Sequence, residues 1–193
     1  MAEVAQPESQ GTERLDERRL VELARTEPAA FAQLYELYVD RLCSYLRTYT
    51  ENEEDAADLT QHVFLRVLEA LPGYEERGLP FGAWLFRIAR NAATDTFRRQ
   101  RRSLPWEHVP DSLQPLARNN PEADSLHREA LNQMRVLVGR LSVEKQELLA
   151  LRFSAGLSSR EIAALLGRSP AAVQKELVRI MHLLKEQARD TAI

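Results

Sequence analysis

An all-α chain of two small helical domains joined by a flexible linker is the fold this sequence predicts, on three observations. Apolar residues recur at three- and four-residue spacing through most of the chain, the period of a half-buried helix. Only 7 glycines and an aromatic content of 7% accompany abundant Ala, Leu, Glu and Arg, a composition that suits helices better than strands. Four of the nine prolines, Pro105, Pro110, Pro115 and Pro121, fall in one stretch without apolar period, which reads as linker. The division that follows is a polar, disordered tail over residues 1–14, a first domain over 15–103, a Pro-rich linker over 104–124 and a second domain over 125–193.

Caps and stripes mark the elements. Asp16 is placed to cap a short helix to about Arg25, with Leu20, Val21 and Ala24 inward. Pro28 suits the first turn of a longer helix to about Tyr49, on which Phe31, Leu34, Tyr35, Tyr38, Leu42, Tyr45 and Leu46 form one stripe. Asn52 with Asp55 makes the next cap; its helix runs to about Leu71, burying Ala56, Leu59, Val63, Phe64, Val67 and Leu68, and Pro72 and Gly73 close it. Gly78 to Gly82 reads as a turn region. From Phe81 to Arg102 a helical pattern grows steadily more basic and ends in Arg98-Arg99-Gln100-Arg101-Arg102. Beyond the linker, Asn120 and Pro121 open a helix to about Leu141, Ser142 caps another to about Ser154, and Gly156 leads into a final pair.

Residues 157–179 read as helix, tight turn, helix. Ser158 and Glu161 have the spacing of a capping box. Ile162, Leu165 and Leu166 point to one side, while Ala163 and Ala164 leave room for a close neighbour. Gly167 ends the first helix, because glycine tolerates the left-handed conformation a helix stop needs. Ser169 and Pro170 start the second as N-cap and first residue; Val173 and Leu177 face inward, leaving Ala172, Gln174, Lys175 and Arg179 outside. Any helical hairpin would want such caps and such a stripe. The small residues, the glycine turn and the polar, partly basic outer positions are what point to a helix placed in DNA.

A formal net charge of −3 argues against a nucleic-acid binder only until it is divided along the chain. Residues 1–60 carry 6 basic and 14 acidic side chains and residues 103–129 carry 2 and 5; residues 61–102 carry 8 and 4, and residues 130–193 carry 10 and 6. Two basic blocks between acidic ones point to two surfaces that approach phosphate. The single cysteine, Cys43, excludes a disulfide framework, fits a reducing cytoplasm, and reads as a small core residue beside Leu42 and Leu46. No signal-peptide pattern opens the chain and no apolar run approaches the roughly 20 residues of a bilayer span, so neither export nor membrane insertion is expected. His62, His108, His127 and His182 are dispersed, and no nucleophile, metal-ligand spacing or phosphate-cradling loop accompanies them. The expectation is a protein with no catalytic residues, no metal and no cofactor.

The basic stretch of the first domain carries a second constellation. Trp84, Leu85, Ile88, Ala92 and Phe97 supply a buried stripe, while Arg87, Arg90, Asn91, Thr94, Arg98 and Arg99 project guanidinium, amide and hydroxyl groups elsewhere. Such a face can hold phosphates and hydrogen-bond exposed bases. A solvated helix end favoured by the macrodipole is the plainer alternative, and a second DNA-reading candidate in the same chain weighs against it.

Taken in order, three motifs resemble the extracytoplasmic-function sigma factors of bacterial RNA polymerase, a class of the sigma-70 family, over about residues 15–103 and 125–187. Asp55-Ala56-Ala57-Asp58-Leu59-Thr60-Gln61-His62-Val63-Phe64-Leu65-Arg66-Val67 is similar to the family's polymerase-docking helix, and Ala83-Trp84-Leu85-Phe86-Arg87-Ile88-Ala89-Arg90-Asn91 to its minus-ten segment. The C-terminal helix-turn-helix is similar to its minus-thirty-five reader. The resemblance implies a sigma-2-like bundle and a sigma-4-like domain that bind core polymerase, direct promoter-specific initiation and aid melting. Docking on the clamp helices of the beta-prime subunit is implied for Asp55, Asp58, Gln61, His62 and Leu65, with the beta subunit as a further contact. Arg87, Arg90, Asn91, Thr94, Asp95, Arg98 and Arg99 match positions that capture the non-template strand. Arg160, Ser169, Pro170, Ala172, Gln174, Lys175, Glu176 and Arg179 match the upstream reader.

An anti-sigma factor, wedged between the domains or wrapped around them, is the partner usual in the family. Two departures stand out: His62 replaces a common Glu, and Glu176 a common Arg, with Val178, Ile180 and Met181 where polar or basic side chains are expected. The acidic N-terminal half and the thinned recognition helix also permit a sigma-like decoy that sequesters an anti-sigma factor without binding promoter DNA, against which the Arg90–Arg102 cluster weighs. An independent helix-turn-helix regulator is a third reading, which would leave the docking helix unexplained.

Overall fold

The computed structural model describes residues 17–50, 52–76, 79–100 and 131–191, without the side chains of 96–100 and 190–191. The Asp16 cap, the linker with Trp106, the Asn120–Pro121 helix start, and Arg101 and Arg102 lie outside the described residues. No strand occurs among the described residues. In chain order the helices are α1 (17–24), α2 (Pro28–Leu46), α3 (Glu53–Ala70), α4 (Phe81–Gln100), α5 (131–139), α6 (Val143–Leu149), α7 (Ser159–Leu166) and α8 (Pro170–Thr191). A 3₁₀ turn, Leu71–Gly73, follows α3, and a π turn, Ala150–Ser154, extends α6.

The N-terminal half is built around aromatic rings. Tyr74, Phe81 and Trp84 form a cluster with centroids 4.7–5.7 Å apart, and Tyr45 meets Phe86 edge-on at 5.5 Å. Edge-to-face geometry at these distances adds to the area buried, because the positive ring edge meets a negative ring face. Gly82, expected in a turn, lies instead inside the first turn of α4, where a Cβ would stand 2.9 Å from the Tyr38 hydroxyl. Its missing side chain is what lets α2 and α4 close. α2 stops at Leu46 rather than near Tyr49, because its exit tightens into i→i−3 bonds: Thr48 N–H donates to Tyr45 O at 3.1 Å, and its hydroxyl takes the same carbonyl at 2.7 Å. Two stripe positions are not core: Tyr35 is 38% and Leu68 47% exposed. Conversely Phe86 and Ala89, outside the expected stripe, are fully buried, since α4 packs on α2 and α3 and also on α7.

Caps shape the C-terminal half. The Ser158–Glu161 capping box is present, with Ser158 N–H donating to the Glu161 carboxylate at 2.8 Å. Gly167 has φ +66° and ends α7 as expected. Ser142 stands before α6 without a side-chain cap bond. The corner is closed by Gln146, whose Nε2 donates to the carbonyls of Val138, Gly139 and Leu141 at 3.0–3.3 Å, satisfying the carbonyls where α5 ends. Val173, Leu177, Ile180 and Leu184 pin α8 along one side. A single cluster of buried apolar residues spans both halves.

Candidate functional site

α3 presents the first candidate face. Asn52 accepts the N–H of Asp55 at 2.7 Å and donates from Nδ2 to its carboxylate at 2.9 Å, so Asp55 belongs to the helix cap as well as to the surface. Asp58, Gln61, His62 and Leu65 follow at helical spacing, all exposed like Asp55. Leu65 is 60% exposed, and with Leu68 it gives this polar ridge an apolar centre. Carboxylates around an exposed leucine suit a partner helix that is basic with an apolar contact; the charges would steer and orient, the leucines contribute area.

The second face lies on α4. Leu85, Phe86, Ala89 and Ala93 are fully buried and hold the helix in place. Arg87, Asn91 and Asp95 are exposed on its outer side, and Arg90 and Thr94 are half-buried. The Thr94 hydroxyl donates back to the Arg90 carbonyl at 2.7 Å. Arg98 and Arg99 lie on the last turns of α4, where side chains are outside the described residues. Beside Arg87 opens a hollow of about 480 Å³ lined by Gly73, Tyr74, Glu75, Leu79, Trp84 and Arg87. Tyr74 is fixed there by its hydroxyl, which donates to Leu79 O at 2.9 Å. The rings beneath the hollow are packed on each other and on Phe81, so the exposed group there is the Arg87 guanidinium. Trp84 is core, as the sequence leads one to expect, and so is Tyr74, which the sequence did not single out: they are 8% and 5% exposed and form the floor of the hollow, with Arg87 exposed at its rim.

Arg90 is not open to solvent in the way its neighbours are. Its Nε donates to Glu147 Oε1 at 2.5 Å and its Nη2 to Oε2 at 3.3 Å, with the Glu147 side chain 16% exposed. The hydrogen bond to Glu147 raises the guanidinium further above its ordinary range. Nearby, Arg41 Nε donates to Ala155 O at 2.8 Å. Neither Glu147 nor Arg41 was a sequence candidate: their partners are 57 and 114 residues away.

The third face is the outer side of α8. Ser169 caps it, its Oγ accepting the Ala172 N–H at 3.2 Å. Ser169, Pro170, Ala172, Gln174, Lys175 and Arg179 are exposed, and Glu176 is half-buried. Ser159 donates to Gln174 Oε1 at 2.7 Å, tying the two helix starts together, and Arg179 stands 3.7 Å from Glu176. Arg160 is set apart from this group: it lines a cleft of about 340 Å³ between the halves, to which the N-terminal half contributes Glu17, Glu22 and Glu76. The apolar departures divide. Ile180 is core, whereas Val178 and Met181 are exposed, and Met181 borders an apolar hollow of about 650 Å³ shared with Met134, Leu184 and Ala188. No helix among the described residues is long and apolar enough to cross a membrane.

Against known proteins, residues 34–103 match the model of Sigma-70 region 2 and residues 131–184 that of Sigma-70, region 4. The chain is 32% identical over 185 residues to the ECF RNA polymerase sigma factor BldN of Streptomyces coelicolor, covering 92% of this chain and 69% of that protein. It is 34% identical over 134 residues to SigD of Mycobacterium tuberculosis, covering 68% of this chain and 62% of that protein. It thus spans about two thirds of the length of these curated relatives. Among solved structures it is similar to CnrH in complex with the cytosolic domain of CnrY, with a TM-score of 0.65 at 26% identity, covering 90% of this chain and 97% of that one.

Proposed function

The chain belongs to the extracytoplasmic-function RNA polymerase sigma factors, and from that premise we infer how its three faces divide the work of initiation. As a sigma factor it binds core polymerase and directs transcription from specific promoters. The α3 ridge of Asp55, Asp58, Gln61, His62 and Leu65 is the docking face for the beta-prime clamp helices. The exposed apolar side of α8 at Val178 and Met181 takes an apolar segment of the beta subunit, which accounts for the loss of polar residues there. Lys175, Arg179, Gln174 and the start of α8 read the upstream element, with Arg160 at its edge.

Melting needs no catalytic group. Arg87, Asn91, Asp95 and, at the helix end, Arg98 and Arg99 hold the non-template strand, with Arg90 and Thr94 completing the row. Arg87, exposed at the rim of the hollow by Tyr74 and Trp84, receives an unstacked base. Each base captured by stacking contributes about 1–3 kcal/mol, comparable with the ~1.4 kcal/mol of stacking lost per opened step, so a few captured bases shift the duplex equilibrium toward the open form. No covalent bond is made or broken, and the protein works in the cytoplasm, where the polymerase is. An anti-sigma factor is the proposed regulator; CnrH, a similar sigma factor, is seen in complex with CnrY.

The observation that carries this division is the placing of an exposed carboxylate ridge on α3 and an exposed guanidinium-and-amide ridge on α4 around one aromatic core. Run-off transcription with purified core enzyme and a genomic fragment library tests it. Discrete transcripts that depend on this chain are expected; their absence, with no inhibitor present, would mark the chain as a decoy instead.

A further inference from the structure

Gln174, on the outward side of α8, has its polar end held by another helix: the hydroxyl of Ser159, the first residue of α7, donates to Gln174 Oε1 at 2.7 Å. Both ends of this bond are anchored. Ser159 directly follows the N-cap Ser158, whose N–H and hydroxyl donate to the Glu161 carboxylate at 2.8 and 2.6 Å. Gln174 directly follows Val173, which is fully buried, and stands one turn into α8 beyond the Ser169 cap. On the turn before it, Ala171 and Ala172 are exposed and too short to stand between the amide and an approaching base edge. The early residues of a second helix in such a hairpin are the ones that reach base edges in the major groove.

A glutamine amide has two N–H donors and an oxygen with two lone pairs. The Ser159 hydroxyl occupies one lone pair, which leaves one acceptor site and both donors on a single planar group whose orientation is set. Adenine is the base whose major-groove edge offers the matching pair, an N6 amino donor beside the N7 acceptor. Glutamine is also among the side chains with the most rotamer freedom to lose on ordering, so an amide held in place before DNA arrives binds at a smaller entropic cost.

We propose that Ser159 is a positioning residue for promoter recognition: through its hydroxyl it presents the Gln174 amide for bidentate pairing with one adenine, and thereby sets the base preference at one position of the upstream element. The proposal rests on the assignment of the outer side of α8 to that element. Ser159 itself touches no base in this scheme, and cations that meet phosphate, as assigned to Lys175 and Arg179, fix register without naming a base.

The test uses holoenzyme reconstituted from core polymerase and the full chain, and a promoter duplex found by run-off and randomised over its upstream element. Sequencing the bound fraction gives a base preference at every position. With the unaltered chain one position is expected to favour adenine, and Gln174→Ala to remove that preference, about five- to tenfold, at that position alone. Ser159→Ala is expected to weaken the adenine preference at the same position about threefold or more, and Ser159→Thr, which keeps the hydroxyl, to retain it. Gln174→Glu, whose carboxylate accepts from Ser159 but carries no N–H, is expected to turn the preference toward cytosine, whose N4 amino group donates. A general weakening of α7 would lower binding to every duplex alike and leave the preferences as they were. An unchanged profile for Ser159→Ala, or a base other than adenine at the position that Gln174→Ala marks, would overturn the proposal. If Gln174→Ala changes no position while Lys175→Ala with Arg179→Ala still weakens binding, the proposal falls and the upstream role of α8 stands. If none of these changes alters binding, the α8 assignment itself fails, and the proposal with it.

Discussion

The two faces proposed for nucleic acid are built in opposite ways. The α8 face sits on the first turns of its helix and is positioned by short-range devices: the Ser158–Glu161 box, the left-handed Gly167, the Ser169 cap, and the Ser159–Gln174 hydrogen bond. The α4 face sits in the middle of a 20-residue helix gripped by rings from α2 and the 71–74 turn, and one of its arginines is held by a residue 57 positions away. A face made of local caps is presented as soon as its own hairpin folds. A face made of tertiary contacts depends on what else packs against its helix.

The sharpest way to break this comparison is to remove both faces at once from the promoter, by undocking. Asp58→Arg places a cation where a basic partner helix is expected, and like-charge juxtaposition costs several kcal/mol. Core-polymerase affinity, measured by fluorescence anisotropy, is expected to fall on the order of a hundredfold, with an unchanged circular dichroism spectrum because Asp58 is exposed. Unaltered affinity would remove the docking role from α3.

Separating the faces comes next. Arg87→Ala with Asn91→Ala removes two exposed groups of α4 and is expected to lower open-complex formation about tenfold, a loss near 1.4 kcal/mol, while leaving binding to a duplex upstream element intact. Permanganate footprinting reads the first and anisotropy the second. Lys175→Ala with Arg179→Ala should do the reverse, weakening upstream binding severalfold. If both are phosphate contacts, the salt dependence flattens by up to about 1.8 log-log units, 0.9 for each. Glu176, 3.7 Å from Arg179, competes for that guanidinium. The change is therefore expected to lie nearer one contact than two, and an unaltered slope would show that neither touches phosphate.

What the sequence revealed follows the same line. The capping box, Gly167 and Ser169-Pro170 are encoded by residues within three or four positions of one another, and all were legible. The burial of Phe86 and Ala89 was not, because it comes from other helices packing on α4: Tyr45 and Arg41 of α2 stand against the Phe86 ring, and α7 packs on α4 as well. Gly82 was misplaced in a turn for a related reason: its role is set by the Tyr38 ring on another helix. Among the site residues, Asp58, Leu65, Arg87 and Asn91 are exposed on the faces expected of them, whereas the partner of Arg90 and the tie at Arg41 arise only from the packing of one half on the other.

The smallest effect at neutral pH, and the one that separates the two cores rather than the two faces, is alkaline. All five tyrosines lie between residues 35 and 74, so the C-terminal half has none. Burial raises the Tyr45, Tyr49, Tyr38 and Tyr74 hydroxyls above the ordinary phenol range, and Tyr45 and Tyr49 share a hydrogen bond at 3.0 Å. A group whose pKa is higher in the fold than in the unfolded chain contributes stability that is fully present below the unfolded value, about 10 for tyrosine, and is lost as pH rises beyond it. Each tyrosine that keeps its proton only in the fold costs about 1.4 kcal/mol per pH unit in that range. The N-terminal half is therefore expected to open first above about pH 10, with α2 and α4 amides losing hydrogen-exchange protection before those of α8, and with phenolate absorbance rising in step. Tyr45→Phe removes one of these protons and should flatten the decline while lowering stability at neutral pH by roughly 1 kcal/mol, since the Tyr49 hydroxyl loses its partner. If α8 lost protection first, the aromatic core would not be the part of the molecule that alkali undoes, and the contrast between the two halves would have to be drawn from their surfaces alone.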